Sequence, residues 1–140
     1  MALKSKHLWL WVMVLTVVFL RVERSGAQHM NAKDSPCEPS TVTSDLYACL
    51  DHARQNQDAA LNAYYRRVQT VVKGDELTKL RAAQRLWVQF RNANCDAEHE
   101  MYSVGTAGPV VKVACLEAMT RHRVAELKDM YEWRIDKFGP

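Results

Sequence analysis

Cysteines are the residues of this 140-residue chain whose type and spacing most directly suggest chemistry. None of them forms a C-x-x-C pair, which argues against a zinc knuckle and a thioredoxin-like redox site. Their even number favours disulfide bonds, provided that the chain leaves the reducing cytoplasm. We therefore expect two bridges and no catalytic thiol. The four residues are Cys37, Cys49, Cys95 and Cys115.

Histidines and carboxylates form no recognisable catalytic pattern. The run from His99 begins like the metalloprotease motif H-E-x-x-H, but Ser103 stands where the second zinc-binding histidine would be. Asp96, Glu98 and Glu100 could act as paired carboxylates in hydrolysis, although a solvated acidic edge is favoured. Neither a G-x-S-x-G motif nor a P-loop occurs. The sequence predicts neither an enzyme nor a metal or cofactor site.

The first 27 residues have the three parts of a cleavable export signal. An unbroken apolar run extends from Leu8 to Leu20, with basic residues before it and small residues after it. A membrane anchor is the alternative, but these thirteen residues at about 1.5 Å each fall short of a hydrocarbon core of roughly 30 Å. We expect cleavage after Ala27 and a periplasmic or secreted protein.

Removal of the signal would make the chain formally neutral. Four basic residues and one acidic residue would be lost, so that 19 and 16 become 15 of each. Without a basic surplus there is no case for nucleic-acid binding, and membrane-surface binding loses its main support. The 113 residues that remain suit a single domain.

Apolar stripes with spacings of three and four predict three helices after an irregular arm. Residues 28–43 are polar and proline-containing, so they form the arm, and residues 44–140 form the helical domain. The first helix starts near Asp45 and stops at Gly74. The stripes contain Leu46, Cys49, Ala53, Ala60, Leu61, Tyr64, Val68 and Val71; then Leu77, Leu80, Ala83, Trp87, Phe90 and Asn94; then Val110, Val113, Leu116, Thr120, Val124, Leu127 and Tyr131.

Capping residues set the other helix ends. Asp75 is a suitable N-cap for the second helix. We expect this helix to fray after Cys95, where acidic residues face an already negative helix end. Pro109 suits the first position of the third helix.

Short connections between long helices favour an all-α, three-helix up-down-up arrangement bridged by disulfides. This topology brings Cys49, Cys95 and Cys115 to one end, where the arm can place Cys37. We favour the pairs Cys37 with Cys49 and Cys95 with Cys115, the most local connectivity. Crossed pairing between the arm and the second helix is the open alternative.

Three signatures in order along the chain resemble those of the LprI-like lysozyme inhibitor family. They are D-x-x-L-N-x-x-Y from Asp58, L-x(3)-Q-x(2)-W-x(2)-[FY]-R-x(3)-C from Leu80, and C-x(4)-T-x(2)-R-x(3)-L from Cys115. We interpret the signature residues as determinants of the fold, with the polar ones partly buried and hydrogen-bonded. These residues are Asp58, Leu61, Asn62, Tyr65, Gln84, Trp87, Phe90, Arg91, Thr120, Arg123 and Leu127.

The resemblance implies a small exported helical domain with paired cysteines and, in at least some members, inhibition of lysozyme. The function hypothesis is an exported protein-binding module that inhibits a lysozyme. The alternative is an interaction or structural module of the cell envelope with no lysozyme target. Because lysozymes are generally cationic, the acidic edge at Asp96, Glu98 and Glu100 could steer association, while Tyr102 and Thr106 in the adjacent loop contact the cleft.

Overall fold

The computed structural model describes residues 29, 34–37 and 42–140. The expected signal and most of the expected arm lie outside the described residues. The described part forms three helices and no strands, as the apolar periodicity predicts. Helix α1 spans Thr43–Val71, α2 spans Gly74–Glu100 and α3 spans Gly108–Phe138. None of them is long and apolar enough to cross a membrane.

The helices run up, down and up, which confirms the predicted topology. Near the start of α1, Leu50 packs with Val110 near the start of α3, so these two helices are parallel. Toward their other ends, the Tyr64 hydroxyl donates to Glu132 Oε2 at 2.7 Å. Helix α2 is antiparallel to both, because Cys95 near its end is bonded to Cys115 near the start of α3.

Both disulfides follow the local connectivity. Cys37 is bonded to Cys49 and Cys95 is bonded to Cys115, with no free cysteine. The first bridge ties the arm to α1, and the second ties the last turns of α2 to the first turns of α3. Both bridges therefore lie at the same end of the bundle, which we call the disulfide end.

Apolar side chains form two clusters along the bundle. The smaller cluster lies at the disulfide end, and the larger one fills the opposite end, where Val72 and Lys73 connect α1 to α2. Burial near Glu132 raises the pKa of Tyr64, a member of the larger cluster. The larger cluster consists of Leu61, Tyr64, Val68, Val71, Val72, Leu80, Val124, Leu127 and Ile135.

Burial is distributed unequally among the helices. Helix α3 buries residues on most of its turns, whereas α2 buries only Leu80, Cys95 and Glu98. Phe90 was expected on the inner face of α2, and this expectation is wrong because its side chain is 60% exposed. Asn94 is exposed as well. Helix α2 thus packs through a narrow face and leaves most of its surface to solvent.

The ends of α2 differ from the sequence-based expectation. Lys73 occupies the N-cap position without a side-chain hydrogen bond. Asp75 lies in the first turn, where its negative charge interacts favourably with the positive end of the helix dipole. Gly74 has a φ of 57°, a conformation that glycine adopts without steric cost. At the other end, α2 continues to Glu100 instead of fraying after Cys95, because the disulfide and an ion pair from Asp96 to Lys112 hold these turns against α3.

Candidate functional site

A partly buried polar network joins the three helices at mid-height. Arg91 Nη1 of α2 donates to Asp58 Oδ1 of α1 and to Thr120 Oγ1 of α3, both at 2.9 Å. Thr120 is fully buried, and its hydroxyl donates to the Leu116 carbonyl at 2.7 Å. The second carboxylate oxygen of Asp58 accepts from Arg54 Nη1 at 2.9 Å. Each of these polar groups therefore has the partner that burial demands.

The indole ring of Trp87 lies between two arginines. The guanidinium carbons of Arg91 and Arg123 are 5.3 and 5.7 Å from the ring centroid, within the range of cation–π attraction. Arg123 also donates from Nε to Gln84 Oε1 at 3.2 Å and from Nη1 to Glu126 Oε2 at 2.9 Å. Trp87 itself packs against the larger apolar cluster. This arrangement fixes the angle between α2 and α3.

The remaining signature residues divide between core and surface. Leu61 and Leu127 lie in the larger apolar cluster, and Tyr65 packs against it. Asn62 and Phe90 are exposed, so neither is held by the core. The expectation that Asn62 is partly buried is therefore wrong.

An open groove separates α1 from α2. It consists of two adjoining cavities of about 440 and 360 Å³ that share Tyr65, Gln84 and Val88. The inner cavity ends at the ion pair between Asp58 and Arg91, so the polar network forms its floor. The other lining residues are Leu61 and Asn62 in the inner cavity, and Gln69, Arg81, Arg85 and Gln89 in the outer one.

The outer cavity carries uncompensated positive charge. Arg81 and Arg85 are exposed and one helical turn apart, and neither guanidinium group has an ion pair or hydrogen bond to another described residue. Like charges at this spacing destabilise a helix slightly. Most other arginines of the described chain pair with carboxylates, for example Arg54 with Asp51 and Asp58. The groove therefore offers two guanidinium groups, amides and an aromatic ring to a ligand.

The expected acidic edge is only partly accessible. Glu98 is 7% exposed and accepts from the His29 backbone at 3.4 Å, while its Oε2 lies 2.8 Å from His29 Nδ1. The expectation that Glu98 forms part of a solvated edge is therefore wrong. Asp96 is exposed and pairs with Lys112 Nζ at 2.6 Å, and Glu100 is exposed.

The loop after α2 presents a mixed surface. Val104 is completely exposed and Met101 is 69% exposed. Thr106 is exposed as well, whereas Tyr102 is half-buried. The backbone at Gly108 packs closely against Tyr102, and an added Cβ at this position would lie only 3.0 Å from the Tyr102 carbonyl oxygen. The two loop residues expected to contact a partner thus differ in accessibility.

A cluster of potential metal ligands lies at the disulfide end. His29, Glu98 and Cys115 bring one donor atom each within 4.8 Å of one another. The Cys115 sulfur is bonded to Cys95 and has no thiolate to offer. Two donors remain, too few for the four-coordinate sites typical of zinc.

These features define a class of small all-α proteins with two disulfides, a polar network that joins the helices and an open groove between the first two of them. The family described as lysozyme inhibitor LprI matches residues 36–127. The chain belongs to this family. A curated but uncharacterized protein of Rhizobium meliloti (strain 1021) is 29% identical over 109 residues, which cover 69% of this chain and 78% of that protein. No solved structure matches.

Sequence reasoning missed the two free arginines of the groove. Their signal is present in the sequence, because no acidic residue stands three or four positions before or after Arg81 or Arg85. It also missed His29 as the partner of Glu98, since a contact across 69 positions leaves no local pattern.

Proposed function

We propose that this protein is an exported protein-binding module that inhibits a lysozyme. Membership of the LprI family carries this proposal, since the family is described as a lysozyme inhibitor. The two disulfides support export, because such bonds persist outside the reducing cytoplasm. A periplasmic or secreted location after signal cleavage is part of the proposal.

The surface of α2 supports binding rather than a purely structural role. Leu86 and Phe90 are one turn apart and are 65% and 60% exposed. Aromatic residues and arginines are enriched at the centres of protein interfaces, and exposed apolar groups of this size add affinity when a partner covers them. Helix α2 presents both kinds of residue on its solvent side.

The loop at the disulfide end is a second proposed contact. Asp96 and Glu100 would attract a cationic lysozyme, and Tyr102 and Thr106 would contact it. Glu98 is no longer included, because its carboxylate is buried against His29.

A turbidity assay with bacterial cell walls tests the proposal directly. The mature protein should slow clearing by at least one of several lysozymes at micromolar concentration. The control is the same protein heated and cooled after reduction, which should lose inhibition if the folded surface is responsible. Absence of inhibition against every lysozyme would reject this function. Recovery of an envelope protein by affinity capture would then favour the alternative, an envelope interaction module.

A further inference from the structure

We infer that the outer part of the groove between α1 and α2 binds carboxylate groups of a protein partner through Arg81 and Arg85. This inference deepens the proposed function, because it names the chemistry by which a partner is held. It rests on the groove and on the guanidinium groups of Arg81 and Arg85, which have no partner among the described residues.

Arg81 and Arg85 are two cations without a carboxylate partner in the part of the chain that the structure describes. Both line the larger cavity of about 440 Å³, and both lack an acidic partner within the described chain. A guanidinium group presents donors in a fixed fork that matches the two oxygens of a carboxylate. Two such groups one turn apart repel each other, and an anionic ligand between them would remove that repulsion.

Among the described residues, no carboxylate that lines the groove is available to Arg81 or Arg85. The carboxylate nearest to the groove is Asp58, whose Oδ1 and Oδ2 already accept hydrogen bonds from Arg91 and Arg54. Arg91 is occupied in turn by Asp58 and Thr120. The inner cavity is therefore electrostatically satisfied, and only the outer cavity attracts an anion.

Polar and apolar side chains surround the two arginines in the outer cavity. Gln69 and Gln89 line the same cavity and supply amide donors, while Tyr65 supplies an aromatic surface. Val88 lines this cavity as well and adds an aliphatic surface. This mixture of cations, amides and apolar groups suits an acidic segment of a protein.

Lysozymes fit this chemistry. Their catalytic cleft contains two carboxyl groups that must stay accessible to substrate. If lysozyme is the partner, the arginines pair with acidic residues at its cleft, while the acidic loop at the disulfide end faces its cationic outer surface.

Charge reversal at the groove tests the inference. The double variant Arg81→Glu, Arg85→Glu is compared with Lys79→Glu, Lys137→Glu, which changes the net charge equally at exposed residues outside the groove. The groove variant should weaken lysozyme inhibition about tenfold or more, and the control should change it less than about threefold. Equal inhibition by the parent and the groove variant would overturn the inference.

A second measurement separates this inference from the proposed function. Decaglutamate is titrated into isotope-labelled protein, and backbone amide shifts are followed by NMR. Shifts concentrated at Tyr65, Gln69 and residues 81–89, and lost in the groove variant, support the inference even if no lysozyme is inhibited. Shifts that are absent, or that spread evenly over basic residues, overturn it whatever the lysozyme assay shows.

Discussion

Arg91 and Asp58 are 33 residues apart in sequence, and their side chains meet at 2.9 Å across the interface of α2 and α1. Because the same guanidinium nitrogen also reaches Thr120 on α3, a single side chain fixes the relative position of all three helices. Arg91 retains only 15% side-chain exposure, so the pair is partly shielded from solvent. Asp58 and Arg91 therefore contribute to the packing of the helices.

Arg91→Lys should destabilise the protein although it preserves the charge. An ammonium group lacks the planar fork and cannot hold Asp58, Thr120 and the face of Trp87 together. Hydrogen bonds to charged groups contribute about 1.5–3 kcal/mol each, so we expect a clear fall in the melting temperature, measured by circular dichroism. Arg67→Lys is the control, since Arg67 is 54% exposed and lies 3.6 Å from Glu132. An unchanged melting temperature for Arg91→Lys would show that the network does not stabilise the fold.

Trp87→Ala should destabilise the protein much more than Phe90→Ala, although the two residues are only three positions apart. Trp87 packs against the larger apolar cluster, so its truncation should cost about 3 kcal/mol of unfolding free energy. Phe90 is 60% exposed, so its truncation should cost less than about 1 kcal/mol. Chemical denaturation of both variants measures these values, and partner binding should weaken for Phe90→Ala at unchanged stability. A large loss of stability for Phe90→Ala would contradict the exposed position of this side chain and indicate that it packs in the core.

Reduction of the disulfides should lower stability substantially. In the chain-entropy model, a bridge that closes a loop of about 20 residues contributes roughly 3 kcal/mol, and the Cys95–Cys115 bridge spans 20 positions. Thermal melts with and without a reducing agent measure the loss. Titration of the unfolded, unreduced protein with a thiol reagent provides the control and should detect no reactive thiol.

Asp51 should contribute to stability only above acidic pH. Hydrogen bonds from Arg54 and, to a lesser extent, from Gln55 hold the pKa of Asp51 below its ordinary value. A lowered pKa in the folded state means that the contribution is fully present above the unfolded pKa, about 3.9, and is lost as the pH falls through the folded pKa. Unfolding free energies measured between pH 2 and 7 should therefore converge for Asp51→Asn and the parent at the acidic end. Parallel curves over the whole range would contradict this assignment.

The sequence predicted the helices, their order and both disulfides because these depend on local periodicity and on chain topology. The prediction that Phe90 is buried was wrong, because a spacing of three and four residues identifies an apolar stripe on a helix. The spacing does not show how much of that stripe the neighbouring helices cover. The prediction for Glu98 failed because the partner, His29, lies in a segment that has no periodic pattern. The groove was beyond prediction, since it exists only where α1 and α2 diverge while both pack on α3.

The two ends of the bundle are held by different interactions, covalent bridges at one end and the larger apolar cluster at the other. Reduction should therefore release the disulfide end first and leave a partly native remainder, so that unfolding proceeds through a sub-global opening rather than in one step. In hydrogen-exchange terms, backbone amides near Leu50 and Val113 should lose protection in the reduced protein before those near Val68 and Leu127. The inner cavity of the groove lies closer to the disulfide end than the outer cavity, so the groove would open from that side.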